Sequence, residues 1–222
     1  MVGFAAAAAL VLGVALYWLL VTTEGAYLGR RIVVLLYDWT AARYNAIKGL
    51  DYVSEVAYLG APLSDALQNV AHPMVLDVAA GTGRVYQSLA GPFCESGLVV
   101  GLDGSERMLR LAPSGLCRLQ GDAERLPFNA GVFDAVCCIE ALEFVTHADR
   151  ALEELIRVLR PGGVMLLSNR VGRDAWFFPG KLCGRGELES RLARLGCHRI
   201  RTETWQTHYD LVWAEKRLRG QA

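Results

Sequence analysis

The residues best placed to do chemistry are Asp77, Gly81, Gly83 and Asp103. Asp77 lies inside the apolar, β-branched run 74–78, where a carboxyl is expensive to bury unless it binds something. Gly81-Thr82-Gly83 follows at once, and residues 84–89 read as the first turns of a helix. A strand, a glycine turn and a helix start let backbone approach a ligand without interference from a Cβ. Asp103 closes a second apolar run, 97–102, at the place where an acid can accept both hydroxyls of a ribose; as an alternative it caps the next helix. A dinucleotide fingerprint wants a third glycine where this chain has Tyr86, so that match is incomplete.

Read together, D-x-A-x-G-x-G (77–83), V-V-G-L-D-G-S-E-R-M-L (99–109) and G-D-A-E-R-L-P-F-N-A-G-V-F-D-A-V (121–136) resemble the class I S-adenosylmethionine-dependent methyltransferases. The similarity is to the type 11, ubiquinone/menaquinone-biosynthesis-like group, and it extends over about residues 37–215. The resemblance implies S-adenosyl-L-methionine as cofactor and Asp77, Ala79, Gly81, Gly83, Asp103, Gly104, Met108, Asp122, Ala123 and Glu140 as the residues that bind it. In the family the acid equivalent to Asp103 holds the ribose and its neighbours flank adenine, while Asp122 takes the adenine amino group. The run R-V-L-R-P-G-G (157–163) resembles the family's structural turn before the fifth strand.

The catalytic group is harder to read. Glu140 ends the fourth strand and should face the ligand crevice, near the cofactor's amino group or sulfonium. Family members often carry His where this chain has Phe144, so no strong general base is evident; Glu143, His147 and His208 are the candidates. The reaction implied is methyl transfer to a small acceptor whose reacting atom, oxygen, nitrogen or carbon, is not legible. Two other readings stay open: a cofactor-binding membrane partner without catalysis, and a dinucleotide-dependent oxidoreductase.

These residues need an α/β scaffold. The apolar runs read as strands, and the resemblance implies a Rossmann-like seven-stranded sheet, mostly parallel with its last strand antiparallel, and helices on both faces. Strands are expected near 74–78, 97–102, 116–119, 135–139, 164–168, 199–205 and 208–214. Ahead of them, helices are expected near 31–48 and 50–59, with Gly49 and Gly60-Ala61-Pro62 as punctuation, and another from Pro62 to about Val70. Tyr37-Asp38-x-x-Ala41-x-x-Tyr44-Asn45 resembles the family segment that folds over the cofactor. The expected division is an anchor at 1–23, a helical lid segment at 24–73 and a methyltransferase core at 74–222.

Residues 2–23 carry no charge and, as a helix, would rise roughly 30 Å, the thickness of a bilayer's hydrocarbon. No Lys or Arg precedes the run, unlike a cleaved signal, so a single transmembrane helix is expected. Arg30 and Arg31 just after it place the catalytic domain on the cytoplasmic side. The lid segment, and Trp176-Phe177-Phe178 in the loop 169–181, either line an acceptor pocket or meet the bilayer; a lipophilic acceptor would suit both. The formal net charge of zero gives no general attraction to nucleic acid. Six scattered cysteines, Cys94, Cys117, Cys137, Cys138, Cys183 and Cys197, show neither metal-ligand spacing nor a disulfide framework.

Overall fold

A computed structural model describes residues 2–89, 97–218 and 220; Cys94 lies outside them. Seven strands form one sheet: β1 (Met74–Val78), β2 (Leu98–Asp103), β3 (Cys117–Gln120), β4 (Phe133–Cys138), β5 (Leu159–Arg170), β6 (Cys197–Thr204) and β7 (Tyr209–Lys216), in the order β3-β2-β1-β4-β5-β7-β6. The pairs from β3 through β5 are parallel, and β7 runs antiparallel to both β5 and β6.

Alternation along β1 shows why both faces are covered. Leu76 and Val78 pack into one core with helix Ala148–Val158 and helix Glu187–Arg194. Val75 packs into a second core with Leu59, Leu63, Leu67 and Val85. Strands buried on both sides in this way read as continuous apolar runs. The strand order switches between β1 and β4, with β2 and β3 laid to one side and β4 and β5 to the other, so the carboxyl ends of β1, β2 and β4 surround the crevice where ligands bind in such sheets.

Two boundaries differ from expectation. Pairing within β5 begins at Leu159, so Arg160-Pro161-Gly162-Gly163 is an irregularity within the strand, where the register against β4 shifts. Nor does Gly60-Ala61-Pro62 break the chain. Helix runs Tyr52–Glu55, a π turn Val56–Gly60 and Ala61–Leu67 follow one another without interruption. Gly60 is needed for closeness instead, since a Cβ there would overlap the backbone carbonyl of Ser88. This helix therefore belongs to the sheet's cover, whereas Arg30–Thr40, a 3-10 turn Ala41–Arg43 and Tyr44–Lys48 form the part of 24–73 that overlies the crevice. The N-terminal helix, Gly3–Thr22, is long and apolar enough to cross a membrane, with mean hydropathy 2.4 and none of it buried by the rest of the chain.

Candidate cofactor site

A cavity of about 120 Å³ opens at the carboxyl ends of β1, β2 and β4. Its floor is largely backbone. Ala79, just past β1, has φ of 59°, and Glu140, two residues past β4, has φ of 52°. Non-glycine residues in the left-handed region cost of order 1 kcal/mol and collect at ligand sites. Between them Gly81, also left-handed, faces the cavity, where a Cβ would come within 3.3 Å of the Met108 methyl.

Asp103 fixes this turn. One of its carboxylate oxygens accepts from the Gly81 amide at 2.8 Å and the other from the Ser105 amide at 2.7 Å. Burial pushes its pKa up, against the pull of those two amides. Ser105 caps the helix Glu106–Leu111 by accepting from the Met108 amide, and it donates to Asp38 in the lid at 2.5 Å.

Of the ten residues expected to bind cofactor, Ala79, Gly81, Asp103, Gly104, Met108, Asp122, Ala123 and Glu140 line the cavity. Asp77 and Gly83 are not in its lining. Asp77 is buried beneath the turn, on the sheet face of Val75, and burial pushes its pKa up to about 8; one of its oxygens has no hydrogen-bond partner. Gly83 faces away, toward Ala112, Pro113 and Leu116. Tyr86, at the position of the absent third glycine, packs its hydroxyl against Gly115. Val33, Val34, Tyr37 and Tyr44, from the segment ahead of the sheet, line the cavity as well.

Glu140 lines the cavity, yet its carboxylate is engaged elsewhere. Arg84 donates to it at 2.6 Å and Lys48 at 3.0 Å. Burial raises its pKa, but these two cations outweigh that and hold it below the usual carboxylate range. Arg84 also grips Glu55 through two hydrogen bonds, at 2.7 and 2.6 Å, and lies over the Trp205 ring. Besides lining the cavity, the Glu140 carboxylate pins the lid and the helix Tyr52–Glu55 to the core.

Sequence reasoning missed Arg84, Glu55 and Lys48. One signal was available, because a cation on the first turn of helix Arg84–Ser88 opposes the helix dipole and needs an acid to explain it.

The three candidate bases fare differently. Glu143 is buried and receives hydrogen bonds from Arg170 and from the Tyr209 hydroxyl. His147 sits outside the cavity beside Glu124, at 2.8 Å. His208 lines a second cavity of about 320 Å³, which shares Glu140 with the first and is otherwise walled by Glu24, Lys48, Arg84, Arg170 and Tyr209 among others. Trp176 and Phe178 line neither of these, but a separate depression with Lys181 and Cys183.

Comparison with known proteins agrees with this geometry. Residues 76–167 match a family described as "Methyltransferase domain". The chain is 44% identical over 107 residues to the ubiquinone/menaquinone biosynthesis C-methyltransferase UbiE of Bordetella parapertussis, covering 42% of this chain and 39% of that protein. It is 33% identical over 140 residues to the demethylmenaquinone methyltransferase of Renibacterium salmoninarum, covering 61% and 57%. The chain thus spans less than two thirds of the length of these relatives. Among solved structures it is similar to magnesium protoporphyrin IX methyltransferase of Synechocystis with bound S-adenosylmethionine, with a TM-score of 0.63 and 19% identity over 84% of this chain and 96% of that one. The glycine turn, the acid at the end of β2 and the third acidic motif thus fall within the residues that match a methyltransferase-domain family, in a chain similar over part of its length to ubiquinone/menaquinone-biosynthesis methyltransferases.

Proposed function

We propose that the protein is a membrane-tethered methyltransferase that moves a methyl group from S-adenosylmethionine to a small acceptor with a lipophilic body. The observation that carries the reading is the backbone-floored cavity, in which Gly81 is bare where a side chain would intrude and Asp103 is aimed at its rim. The residues fit the cofactor. Asp103 would hold the ribose, Gly104 and Met108 would flank the base, and Asp122 at the mouth would take its amino group. When bound, the cofactor supplies an electrophilic methyl on a positive sulfonium.

The chain's own work is positioning and exclusion of water. Tyr37 and Tyr44 roof the cavity, the Tyr37 hydroxyl donates to Glu24 at 2.6 Å, and the two rings lie against each other at 6.0 Å. Holding reactants in near-attack geometry accounts for much of the rate of such displacements. The reacting end of the acceptor would sit in the second cavity, because it adjoins the first at Glu140. There His208 is the candidate to receive an acceptor proton, since Glu143 already accepts from Arg170 and Tyr209.

Tethering rests on the helix Gly3–Thr22, and the following Arg30 and Arg31 favour a cytoplasmic catalytic domain. The test pairs calorimetry against S-adenosylhomocysteine and NADH with methyl transfer from labelled cofactor to quinol-containing membrane extracts. Micromolar binding of the homocysteine nucleoside with turnover is expected. Binding of NADH alone would defeat the reading, and tight binding without turnover on any extract would favour a non-catalytic role.

A further inference from the structure

The lid has two faces, and the function above uses one. Along helix Arg30–Thr40, residues Arg30, Val33, Val34 and Tyr37 look into the cofactor cavity. Arg31, Leu35 and Trp39, spaced four apart, form an outward stripe, and Trp39 is 79% exposed. The stripe continues past the 3-10 turn through Arg43 and Ile47, both exposed. A stable helix does not ordinarily present a tryptophan, a leucine and an isoleucine to water along one line.

Charge and continuity say what covers it. Arg31 and Arg43 are exposed on this face, whereas Arg30 and Lys48 are engaged with Asp122 and Glu140, and the one acid between residues 25 and 50, Asp38, has its carboxylate bound to Ser105 and the Arg107 amide. Seven residues separate the end of the apolar helix at Thr22 from the start of helix Arg30–Thr40. The turn between them is seated on the loop after β5. Trp18, at the foot of the apolar helix, stacks on Tyr27 at 5.0 Å, and the Tyr27 hydroxyl donates to the Pro179 carbonyl at 2.8 Å. Ala26 and Phe178 share a small core. That loop presents Trp176, 80% exposed, and Phe177, with Arg173 close by in sequence. Two aromatic and basic surfaces thus flank the foot of the same helix, a composition suited to the headgroup region of an anionic bilayer.

We propose that Leu35, Trp39 and Ile47 of the lid, together with Trp176 and Phe177, form a contact with an anionic phospholipid surface, separate from the spanning helix. The contact rests on the tethering reading and extends it. It seats the roof of the cofactor cavity on the membrane, so that a lipophilic acceptor reaches the site from the headgroup layer without crossing water.

The test uses the full chain reconstituted into phosphatidylcholine vesicles with and without phosphatidylglycerol, the lipids brominated near the top of the acyl chains to quench nearby tryptophan. Trp205, just past β6, is half-buried against Arg84, Trp213 is buried on β7, and both are present with Trp18 in every variant. The expected result is that W39F and W176F each remove part of the quenching, and that the double variant retains only the share of Trp18, Trp205 and Trp213. Quenching at Trp39 should also be stronger with phosphatidylglycerol and fall on adding salt.

Vesicle flotation with quenching unchanged in the double variant would overturn the contact and leave the anchor standing. Failure of the chain to float would remove both. A concentration-dependent blue shift of Trp39 emission without lipid quenching would assign the stripe to a second copy of the chain and overturn the proposal. Binding of S-adenosylhomocysteine, measured alongside, reports on the cofactor site independently, because neither tryptophan lines its cavity.

Discussion

The two cavities at the carboxyl edge of the sheet are built from different material. The one at β1, β2 and β4 is shaped by main chain: Ala79, Gly81 and Glu140 in left-handed conformations, and one acid, Asp103, holding two amides. The one toward β5 and β7 is shaped by charged side chains in two clusters. One cluster joins Lys48, Glu140, Arg84 and Glu55; the other joins Glu143, Arg170, Tyr209 and Asp174. A main-chain cradle suits a cofactor whose shape does not vary, because backbone geometry is set locally. A wall of side chains can be rewritten for a different acceptor without disturbing the cradle. The difference predicts that damage to the second region unfolds or loosens the protein, whereas damage to the first loses the ligand.

The largest effect expected is at Arg84. Its guanidinium is buried with the carboxylates of Glu55 and Glu140. Arg84→Met leaves both acids without that partner, and breaking a buried pair costs about 3–5 kcal/mol. Urea denaturation should show this loss of stability. Adding Glu55→Gln and Glu140→Gln to the same chain should recover much of it; a triple variant as unstable as the single one would mean that packing against Trp205, not charge, is what Arg84 provides.

Asp77 supplies the contrasting case, a buried acid with an oxygen left unpaired. Its folded pKa of about 8 lies above the ordinary carboxylate value. Between the two values the folded chain holds a proton that the unfolded chain has released. The stability this contributes is fully present below the unfolded pKa and is lost as pH rises through about 8. Unfolding free energy should therefore fall by up to ~1.4 kcal/mol per pH unit across that window. Asp77→Asn should flatten the slope. Urea midpoints taken at a series of pH values decide it, and an unchanged slope in the variant would locate the titrating group elsewhere.

Replacing Asp103 tests the cradle directly. Asp103→Ala removes the acceptor for the Gly81 and Ser105 amides, and with it the group proposed to hold the ribose. Hydrogen bonds to a charged group are worth about 1.5–3 kcal/mol, so the dissociation constant for S-adenosylhomocysteine should rise roughly 10- to 100-fold. Calorimetry measures the change, and a circular dichroism melt separates it from unfolding. Unaltered affinity would show that the acid serves the turn alone.

The same contrast explains what the sequence revealed. The cradle was legible because its parts are close in the chain: strand, glycine turn and helix start fall within residues 74–89, and Asp103 follows one strand later. Asp77 and Gly83 were legible as members of that turn but not as residues outside the cavity lining, since spacing does not tell which way a buried carboxyl or a bare Cα faces. The ion clusters were not legible. Arg84 and Glu140 are 56 positions apart, Lys48 and Glu140 are 92 apart, and Tyr209 and Glu143 are 66 apart. Nothing in a local pattern links residues so distant. Likewise Gly60 read as punctuation because the carbonyl that demands its bareness belongs to Ser88, on another helix.

The smallest effect concerns the joint between the two regions. Thr82, in the glycine turn, donates its hydroxyl to the Asn45 side chain at 2.7 Å, and so ties the lid to the cradle where both cavities are near. Thr82 is buried and Asn45 exposed, so the bond should be worth an ordinary amount, about 1 kcal/mol. A double-mutant cycle with Asn45→Ala and Thr82→Val, followed by urea denaturation, isolates that coupling from the packing each residue loses alone. If the lid is held independently by Asp38 on Ser105 and by Lys48 on Glu140, the cycle should give a coupling in stability but little change in S-adenosylhomocysteine affinity. A coupling in affinity as large as that in stability would mean instead that the turn and the lid move as one piece. The main-chain cradle would then not be independent of the side chains around it.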